Sequence, residues 1–307
     1  MKVLFLGTPA FAAASLDALL KSSHEVVGVV TQPDRALKRG KTEAGAVKLL
    51  ALERGLFVVQ PQRIRDEIEL IKSFGADIGV TAAYGQILTQ AVIDAFPNGI
   101  INVHASLLPK YRGASPIQSA IADGQKETGV TIMRTERGID TGDILSFVKT
   151  EIGENETAGE LTERLAALGA RLLVETLDNF DGIVPVKQDE AQATHCKTIK
   201  KEELVIDFSR PAEEVVNHIR ALSPSPCARA EICGEVYKIY SAVACEQNGA
   251  HSIGEVICTN DGLYIACGVG AVSVTVIQAP SKRALPIKEF LRGRKFPAGV
   301  ICGSQKQ

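Results

Sequence analysis

Short apolar segments alternate with segments of helical spacing through the first 180 residues of the chain. The apolar segments are four to eight residues long, as expected for strands buried on both faces, and the helices between them supply the crossovers that parallel strands require. The alternation therefore predicts an α/β domain with a mostly parallel sheet and helices on both faces. The predicted strands are residues 2–7, 25–32, 57–60, 77–83, 100–104, 128–134 and 144–150, and the predicted helices are residues 11–21, 46–54, 64–74, 115–123 and 157–180.

The pattern changes after residue 203, which indicates a second domain. Residues 181–203 are polar and irregular and predict a linker, and residues 211–222 predict one helix. Five short apolar segments separated by Gly, Asn and Asp then predict a small β-barrel. They are residues 228–232, 235–243, 254–258, 262–266 and 272–278. Because 307 residues exceed the usual size of one compact domain, we predict two domains, residues 1–180 and 204–307.

Charge and composition restrict the classes of partner. The net charge is −2, so the molecule as a whole is not a polycation and any nucleic-acid-binding surface must be local. Two stretches, residues 34–48 and 282–295, are nevertheless basic, and charged runs of this kind usually form solvated faces. Their basic side chains include Arg35, Lys38, Arg39 and Lys41 in the first stretch, and Lys282, Arg283 and Lys288 in the second.

The sequence also bears on compartment and metals. The first residues lack the apolar region of a signal peptide, and no apolar run reaches the roughly 18 residues of a membrane span, so we expect a cytoplasmic protein without a membrane partner. All seven Cys lie after residue 195, in an odd number and without a Cys-x-x-Cys pair. This disfavours a disulfide framework or a zinc site, and no metal is predicted.

Asn102 and His104 form the first candidate site. They end the predicted strand 100–104, and because they are two residues apart their side chains point to the same face. Open α/β sheets bind ligands beyond the carboxyl ends of their strands. An amide and an imidazole in that place suit acyl transfer, because the amide stabilises a developing oxyanion while the imidazole contacts the same oxygen or handles a proton.

A Gly-flanked turn at residues 138–143 is the second candidate site. It carries Asp140 and Asp143 between two predicted strands. A carboxylate near His104 would fix the orientation of the imidazole. The same residues satisfy the preferences of an ordinary hairpin turn, so on their own they leave both interpretations open.

Together these motifs resemble the 10-formyltetrahydrofolate-dependent formyltransferases. The resemblance rests on Asn-Val-His-Ala-Ser-Leu-Leu-Pro at residues 102–109 and on Gly-Ile-Asp-Thr-Gly-Asp at residues 138–143. It extends over nearly the whole chain, and the members that act on initiator methionyl-tRNA are the most similar. Supporting segments occur at residues 5–9, 31–35, 39–41, 83–85, 111–118 and 127–133.

The resemblance implies a Rossmann-like catalytic domain followed by a C-terminal barrel similar to an OB fold. It also implies transfer of a formyl group from 10-formyltetrahydrofolate, as cosubstrate, to the α-amino group of methionine on initiator tRNA by a monomer. Asn102, His104 and Asp140 would be the catalytic residues. The implied folate contacts are Ser106, Leu107, Leu108 and Pro109, together with Tyr84, Gly85, Gln86, Ile87 and Leu88 of a loop at the pterin pocket.

The resemblance implies tRNA contacts in the first stretch, at Arg35, Lys38, Arg39 and Lys41. Lys282, Arg283 and Lys288 of the second stretch are further candidates, because they flank a barrel of a type that often binds nucleic acid. The loop would position the acceptor end of the tRNA, and the basic tail would attract phosphates without regard to sequence. Residues 36–46 depart from the family's usual loop sequence but keep its positive charge.

Three other functions can be weighed against this one. A formyltransferase of the same core could act on a nucleotide-sugar amine or a purine precursor, but residues 31–48 and the barrel with its basic tail argue against it. A non-catalytic RNA-binding protein would not need Asn102, His104 and Asp140. NAD binding is disfavoured because the turn at residues 7–9 is poor in glycine and Pro9 removes a backbone donor.

Overall fold

The computed structural model describes residues 1–36, 42–246, 249–258 and 262–303. The chain divides into two compact units. The first comprises Met1–Pro116, Glu127–Glu151 and Thr162–Cys196, and the second comprises Ile117–Lys126, Ile152–Leu161 and the chain from Lys197 onward. Residues 181–196 of the predicted linker thus group with the first unit, and the domain boundaries at residues 180 and 204 remain predictions.

A seven-stranded sheet forms the centre of the first unit. The strands of this unit, in chain order, are β1 (Lys2–Gly7), β2 (Glu25–Val30), β3 (Arg35–Ala36), β4 (Thr42–Glu43), β5 (Val58–Val59), β6 (Ile78–Ala82), β7 (Ile100–His104), β8 (Arg112–Gly113), β9 (Glu127–Arg134), β10 (Ile144–Glu151) and β11 (His195–Cys196). The order in the main sheet is β10-β9-β7-β6-β1-β2-β5, while β3 pairs with β4 and β8 pairs with β11. The strands from β7 to β5 in that order are parallel, and β9 is antiparallel to both of its neighbours, β7 and β10. The predicted mostly parallel sheet is confirmed.

Five of the predicted helices lie close to their predicted positions, the helix predicted at residues 64–74 is interrupted, and α4 and α8 were not predicted. They are α1 (Ala10–Leu20), α2 (Ala46–Glu53), α3 (Ile68–Ser73), α4 (Gln90–Ile93), α5 (Pro116–Ala122), α6 (Ala158–Asp178), α7 (Ala212–Leu222) and α8 (Ile287–Gly293). The single helix predicted at residues 64–74 was wrong. A 3-10 helix at Ile64–Asp66 precedes α3, and Glu67 between them has φ −116° and ψ 29°, which interrupts the α-helical path.

Different helices cover the two faces of the sheet. On one face, Ile100 packs in a cluster with side chains of α3 and α4. On the other face, α6 approaches so closely that a Cβ on Gly169 would lie 3.0 Å from a methyl carbon of Val103. Because side chains alternate along a strand, Asn102 and His104 share the face of Ile100.

The strand order reverses at β1, which places a crevice at the carboxyl ends of the central strands. β2 and β5 lie on one side of β1, and β6 and β7 lie on the other. The register pairs Gly7 with Ala82, and Thr81 with Asn102, so the ends of β1, β6 and β7 are level. Ligands of open α/β sheets bind at such a reversal.

The second unit contains an antiparallel sheet curled into a half-barrel. Its strands are β12 (Ala228–Ile232), β13 (Glu235–Cys245), β14 (Val256–Cys258), β15 (Leu263–Ala266), β16 (Ala271–Gln278) and β17 (Ala284–Pro286). The order is β12-β13-β16-β15-β14, and β17 also pairs with β16. Strand β17 was not predicted, because three residues that include a proline carry no alternating pattern. The fold class predicted for both halves of the chain is confirmed.

The core of the second unit joins its sheet to two helices. Val215 and Ile219 of α7 and Phe290 of α8 pack with the inward side chains of the strands. Tyr237 is fully buried and meets Phe290 edge-on, with ring centroids 6.1 Å apart. Within the ranges described, the helices are too short or too polar to cross a membrane.

Candidate active site

Asn102 at the end of β7 is oriented by a residue of the neighbouring strand. The Thr81 hydroxyl donates a hydrogen bond of 2.8 Å to Asn102 Oδ1. Because this bond engages the carbonyl end of the amide, the two N–H donors of Nδ2 are left for another acceptor. Thr81 was not predicted as a site residue, although its place in the predicted strand 77–83 next to residues 100–104 was a signal.

His104 is buried, and both of its ring nitrogens face defined groups. Nε2 lies 3.0 Å from the carbonyl oxygen of Tyr111, and since a carbonyl only accepts, Nε2 carries a hydrogen there. Nδ1 lies 3.6 Å from Oδ2 of Asp140, beyond hydrogen-bonding distance. The nitrogen that can gain or lose a proton is therefore the one beside the carboxylate.

Asp140 reaches this position through an unusual backbone conformation. Its φ of +53° lies in the left-handed region, which costs a residue with a side chain on the order of 1 kcal/mol. Its Oδ2 accepts a hydrogen bond of 2.8 Å from the backbone N–H of Gly113. Asp143 in the same turn contributes its carbonyl to the N–H of Arg134 at 2.9 Å. The structure thus brings Asp140 to His104.

Gln188 holds the turn that carries Asp140. Its Nε2 donates to the carbonyl oxygens of Asp140 at 2.9 Å and of Gly142 at 2.7 Å. Its Oε1 accepts from Nε of Arg112 at 3.0 Å. Residue 188 was predicted to lie in a linker, so a role for Gln188 in the site was not predicted.

Arg112 is buried and is paired with Glu190. The guanidinium is only 2% exposed and donates to both carboxylate oxygens of Glu190, at 2.9 and 2.7 Å. These hydrogen bonds from Arg112 lower the pKa of the Glu190 carboxyl, which stays ionised at neutral pH. A bidentate ion pair of this kind fixes the plane of the guanidinium.

A short parallel pairing of β8 with β11 brings these residues together. The N–H of Arg112 donates to the carbonyl of Thr194 at 2.9 Å, and the N–H of Ala114 donates to that of Cys196 at 3.1 Å. The Thr194 hydroxyl accepts from the N–H of Tyr111 at 2.8 Å. Gln188, Glu190 and Thr194 therefore line one side of the site, while Gln192 and His195 of the same segment are exposed.

Gly113→Ala is expected to lower the free energy of unfolding by about 2–4 kcal/mol. Gly113 has φ +119°, and an added Cβ would lie 2.1 Å from the carbonyl oxygen of Cys196. Urea unfolding measures the effect. Gly182→Ala is the matched control, because an added Cβ there meets nothing within 4 Å, and equal midpoints for the two variants would contradict the expectation.

The segment predicted to contact folate after β7 is fixed by Thr131. The Thr131 hydroxyl donates to the Ser106 carbonyl at 2.7 Å and accepts from the N–H of Leu108 at 3.2 Å. The Ser106 hydroxyl donates to the carbonyl of Lys110 at 2.6 Å. Leu107 is half-buried, and Pro109 accepts from the N–H of Thr194. Residues 106–109 thus keep a defined path beside His104.

The second predicted folate segment follows β6. Gln32 Nε2 donates to the Tyr84 carbonyl at 3.1 Å, and Gln86 Oε1 accepts from the N–H of Ile64 at 2.8 Å. Gly85 has φ +85° and turns the chain. Ile87 is 89% exposed, whereas Leu88 packs on the core of the first unit.

The basic stretches differ in how much of them the structure describes. Arg35 is exposed at the start of a short pairing with Glu43. Lys38, Arg39 and Lys41 lie outside the described residues. In the second unit, Lys282, Arg283 and Lys288 are all exposed, and Lys288 lies on α8.

Comparisons with known proteins cover both units. Residues 1–177 match the family model described as formyl transferase, and residues 198–295 match the model of the formyl transferase C-terminal domain. The methionyl-tRNA formyltransferase of Chromobacterium violaceum is 44% identical over 99% of this chain and 100% of its own. That of Solibacter usitatus is 45% identical over 99% of each chain.

Solved structures share the fold at lower identity. A crystal structure of WlaRD, a sugar 3N-formyl transferase, in the presence of dTDP and 5-N-formyl-THF has a TM-score of 0.68 and 22% identity, and covers 92% of this chain and 99% of its own. HypX from Aquifex aeolicus in one variant has a TM-score of 0.67 and 19% identity over 97% of this chain and 49% of its own. These likenesses show the fold alone. The full-length identity and both family models show that the chain belongs to the methionyl-tRNA formyltransferase family.

Proposed function

We propose that this chain transfers the formyl group of 10-formyltetrahydrofolate to the α-amino group of methionine on initiator tRNA. Relatives named methionyl-tRNA formyltransferase support the proposed acceptor. They match along 99% of the chain, so the match includes the second unit. The observation that carries the chemistry is the arrangement of Asn102, His104 and Asp140 at the carboxyl end of β7.

Each of these three side chains has a distinct role. The Nδ2 donors of Asn102, left free of Thr81, can stabilise the negative charge that develops on the formyl oxygen. The attacking amine must be neutral and must lose a proton as the new C–N bond forms, and Nδ1 of His104 can receive that proton. The same nitrogen can return the proton to the folate nitrogen as the bond of that nitrogen to the formyl carbon breaks. The negative charge of the Asp140 carboxylate, 3.6 Å from Nδ1, stabilises the resulting imidazolium. The Tyr111 carbonyl holds the ring in place throughout.

The folate cosubstrate, when bound, supplies the activated formyl carbon. We assign its binding to residues 106–109 and to the loop of residues 84–88. The Tyr84 hydroxyl is buried and lacks a hydrogen-bond partner among the described residues. Because buried polar groups are normally hydrogen-bonded, this hydroxyl can bond a polar group of the folate. The exposed Ile87 offers apolar surface to an aromatic ring system.

A formyl-transfer assay tests the proposed function. Labelled 10-formyltetrahydrofolate is offered with initiator methionyl-tRNA, free methionine or a dTDP-linked amino sugar, and labelled formyl amide is measured. We expect transfer to methionyl-tRNA and little to the others. Faster transfer to the amino sugar would favour the alternative acceptor, and no transfer to any amine would contradict a catalytic function.

The basic tail of the second unit is proposed to bind tRNA phosphates. Replacing Lys282, Arg283 and Lys288 with Ala is expected to weaken tRNA binding and to reduce the dependence of log affinity on log salt by roughly one unit per lost contact. Affinity measured at several salt concentrations gives the slope.

The matched control removes three exposed lysines of the first unit, Lys21, Lys72 and Lys149, which lie beside carboxylates. The same change in net charge should leave the slope nearly unaltered. Equal slopes for both triple variants and the unaltered protein would assign the tail to the solvated surface.

The loop residues Arg35, Lys38, Arg39 and Lys41 are proposed to position the acceptor end of the tRNA. Replacing Arg39 and Lys41 should therefore lower the rate of formylation more than the affinity for tRNA.

A further inference from the structure

We infer that Gln188 is a positioning residue for the reaction, acting through Asp140. The inference rests on the proposed function, because it gives a role to a residue that holds the carboxylate beside His104. Gln188 lies 48 residues beyond Asp140 in the chain, yet its side chain bonds both the carbonyl of Asp140 and that of Gly142.

The hydrogen bonds of Gln188 fix the conformation that aims the carboxylate. Asp140 has φ +53°, a conformation that competes with more favourable ones unless its surroundings hold it. Two N–H···O bonds from one amide clamp the carbonyls at residues 140 and 142, on either side of Thr141. The backbone at Asp140 is therefore held from one side by Gln188, while the carboxylate is held from the other by the N–H of Gly113.

The chemistry of the contacts selects glutamine at this position. The clamp needs two donors toward the carbonyls and one acceptor toward Nε of Arg112, and a primary amide offers both. A glutamate would face two carbonyl oxygens without a donor and would add a negative charge near Asp140. An asparagine has the same groups on a shorter side chain.

Arg112 and Glu190 set the orientation of the Gln188 amide. The buried guanidinium can only donate, so it requires Oε1 of Gln188 on its side and thereby directs Nε2 to the turn. Glu190 in turn fixes the guanidinium with two hydrogen bonds. The side chains form a chain of contacts from Glu190 through Arg112 and Gln188 to Asp140.

Gln188→Ala is expected to lower kcat for formylation about 10–100-fold with less than about threefold change in KM for either substrate, because the carboxylate is displaced rather than a binding contact removed. Gln188→Glu should lose at least as much. Gln192→Ala is the matched control, since this exposed glutamine of the same segment bonds only its neighbour Asp189 among the contacts described.

A double-mutant cycle separates positioning from general support of the fold. In the Asp140→Asn background, Gln188→Ala should cost less than about threefold further in kcat, because residues that act through one group are not additive. A full, additive loss in that background would overturn the inference. So would unchanged kcat in Gln188→Ala when the unaltered protein formylates methionyl-tRNA.

A crystal structure of Gln188→Ala gives a second readout that does not depend on activity. We expect the turn at residue 140 to leave its left-handed conformation, or the 3.6 Å separation of His104 Nδ1 and Asp140 Oδ2 to increase. An unchanged turn together with an unchanged separation would refute the positioning role even if kcat fell. Failure of the unaltered protein to transfer formyl groups would instead refute the proposed function, and the crystal structure would still decide the role of Gln188.

Discussion

Asp140→Asn is expected to lower kcat by roughly 10³–10⁴-fold, the scale seen when an amide replaces the carboxylate that supports a catalytic histidine. An asparagine keeps an oxygen for the N–H of Gly113, so the turn should stay folded. It loses the negative charge that lies 3.6 Å from Nδ1 of His104. The measurement is single-turnover formylation of methionyl-tRNA at saturating folate, with thermal unfolding to confirm the fold.

Asp143→Asn provides the comparison within the same turn. Asp143 uses its backbone carbonyl to bond Arg134, and that bond survives the change of side chain. We expect a loss of less than about tenfold, because no contact to the reacting groups is removed. A larger loss for Asp143→Asn than for Asp140→Asn would show that the wrong carboxylate was chosen.

Asn102→Ala is expected to lower kcat about 10²–10³-fold, as removal of one donor to a developing oxyanion typically does. His104→Ala should lower kcat at least as much as Asp140→Asn, because the carboxylate acts through the imidazole. Because both groups are proposed to act on the transition state, KM for folate and for tRNA should change much less than kcat. Steady-state kinetics with each substrate varied in turn separate these quantities.

Two further variants sharpen this test. Thr81→Val keeps the Asn102 amide but removes the hydroxyl bonded to Oδ1, so it should give a loss smaller than that of Asn102→Ala. His195→Ala removes an exposed imidazole of β11 and should leave kcat near that of the unaltered protein. If His104→Ala raised KM while kcat stayed the same, His104 would belong to substrate binding and not to proton transfer.

The main sheet could be predicted because its signal is local. Each strand of the first unit's core is a short apolar run, and strand periodicity alone placed Asn102 and His104 on one face at a strand end. Asp140 needed the resemblance to a family, because the turn of residues 138–143 equally suits a hairpin. The break at Glu67 escaped prediction because an apolar helical spacing continues across it.

The part of the site formed by Gln188 and Glu190 could not be predicted from local sequence patterns. Gln188 and Glu190 contact residues 46 to 78 positions earlier in the chain, through a pairing of two-residue strands, β8 and β11. Strands of two residues carry no periodicity, and the polar composition of residues 181–203 predicts a linker as readily as a site wall. Thr81 was not predicted for a related reason: threonine is common in strands, so one threonine in an apolar strand gives no sign of a functional role.

The late position of residues 188–196 in the chain has a consequence for the folding of the enzyme during its synthesis on the ribosome. Asn102, His104 and Asp140 leave the exit tunnel well before Gln188 and Cys196, so the nascent chain can assemble its central sheet while the turn at Asp140 is still unclamped. A fragment ending at residue 177, where the match to the first family model ends, lacks Gln188 and β11. A piece of the gene must extend to codon 196 to encode all the contacts of Asp140 and Gly113 that are described above.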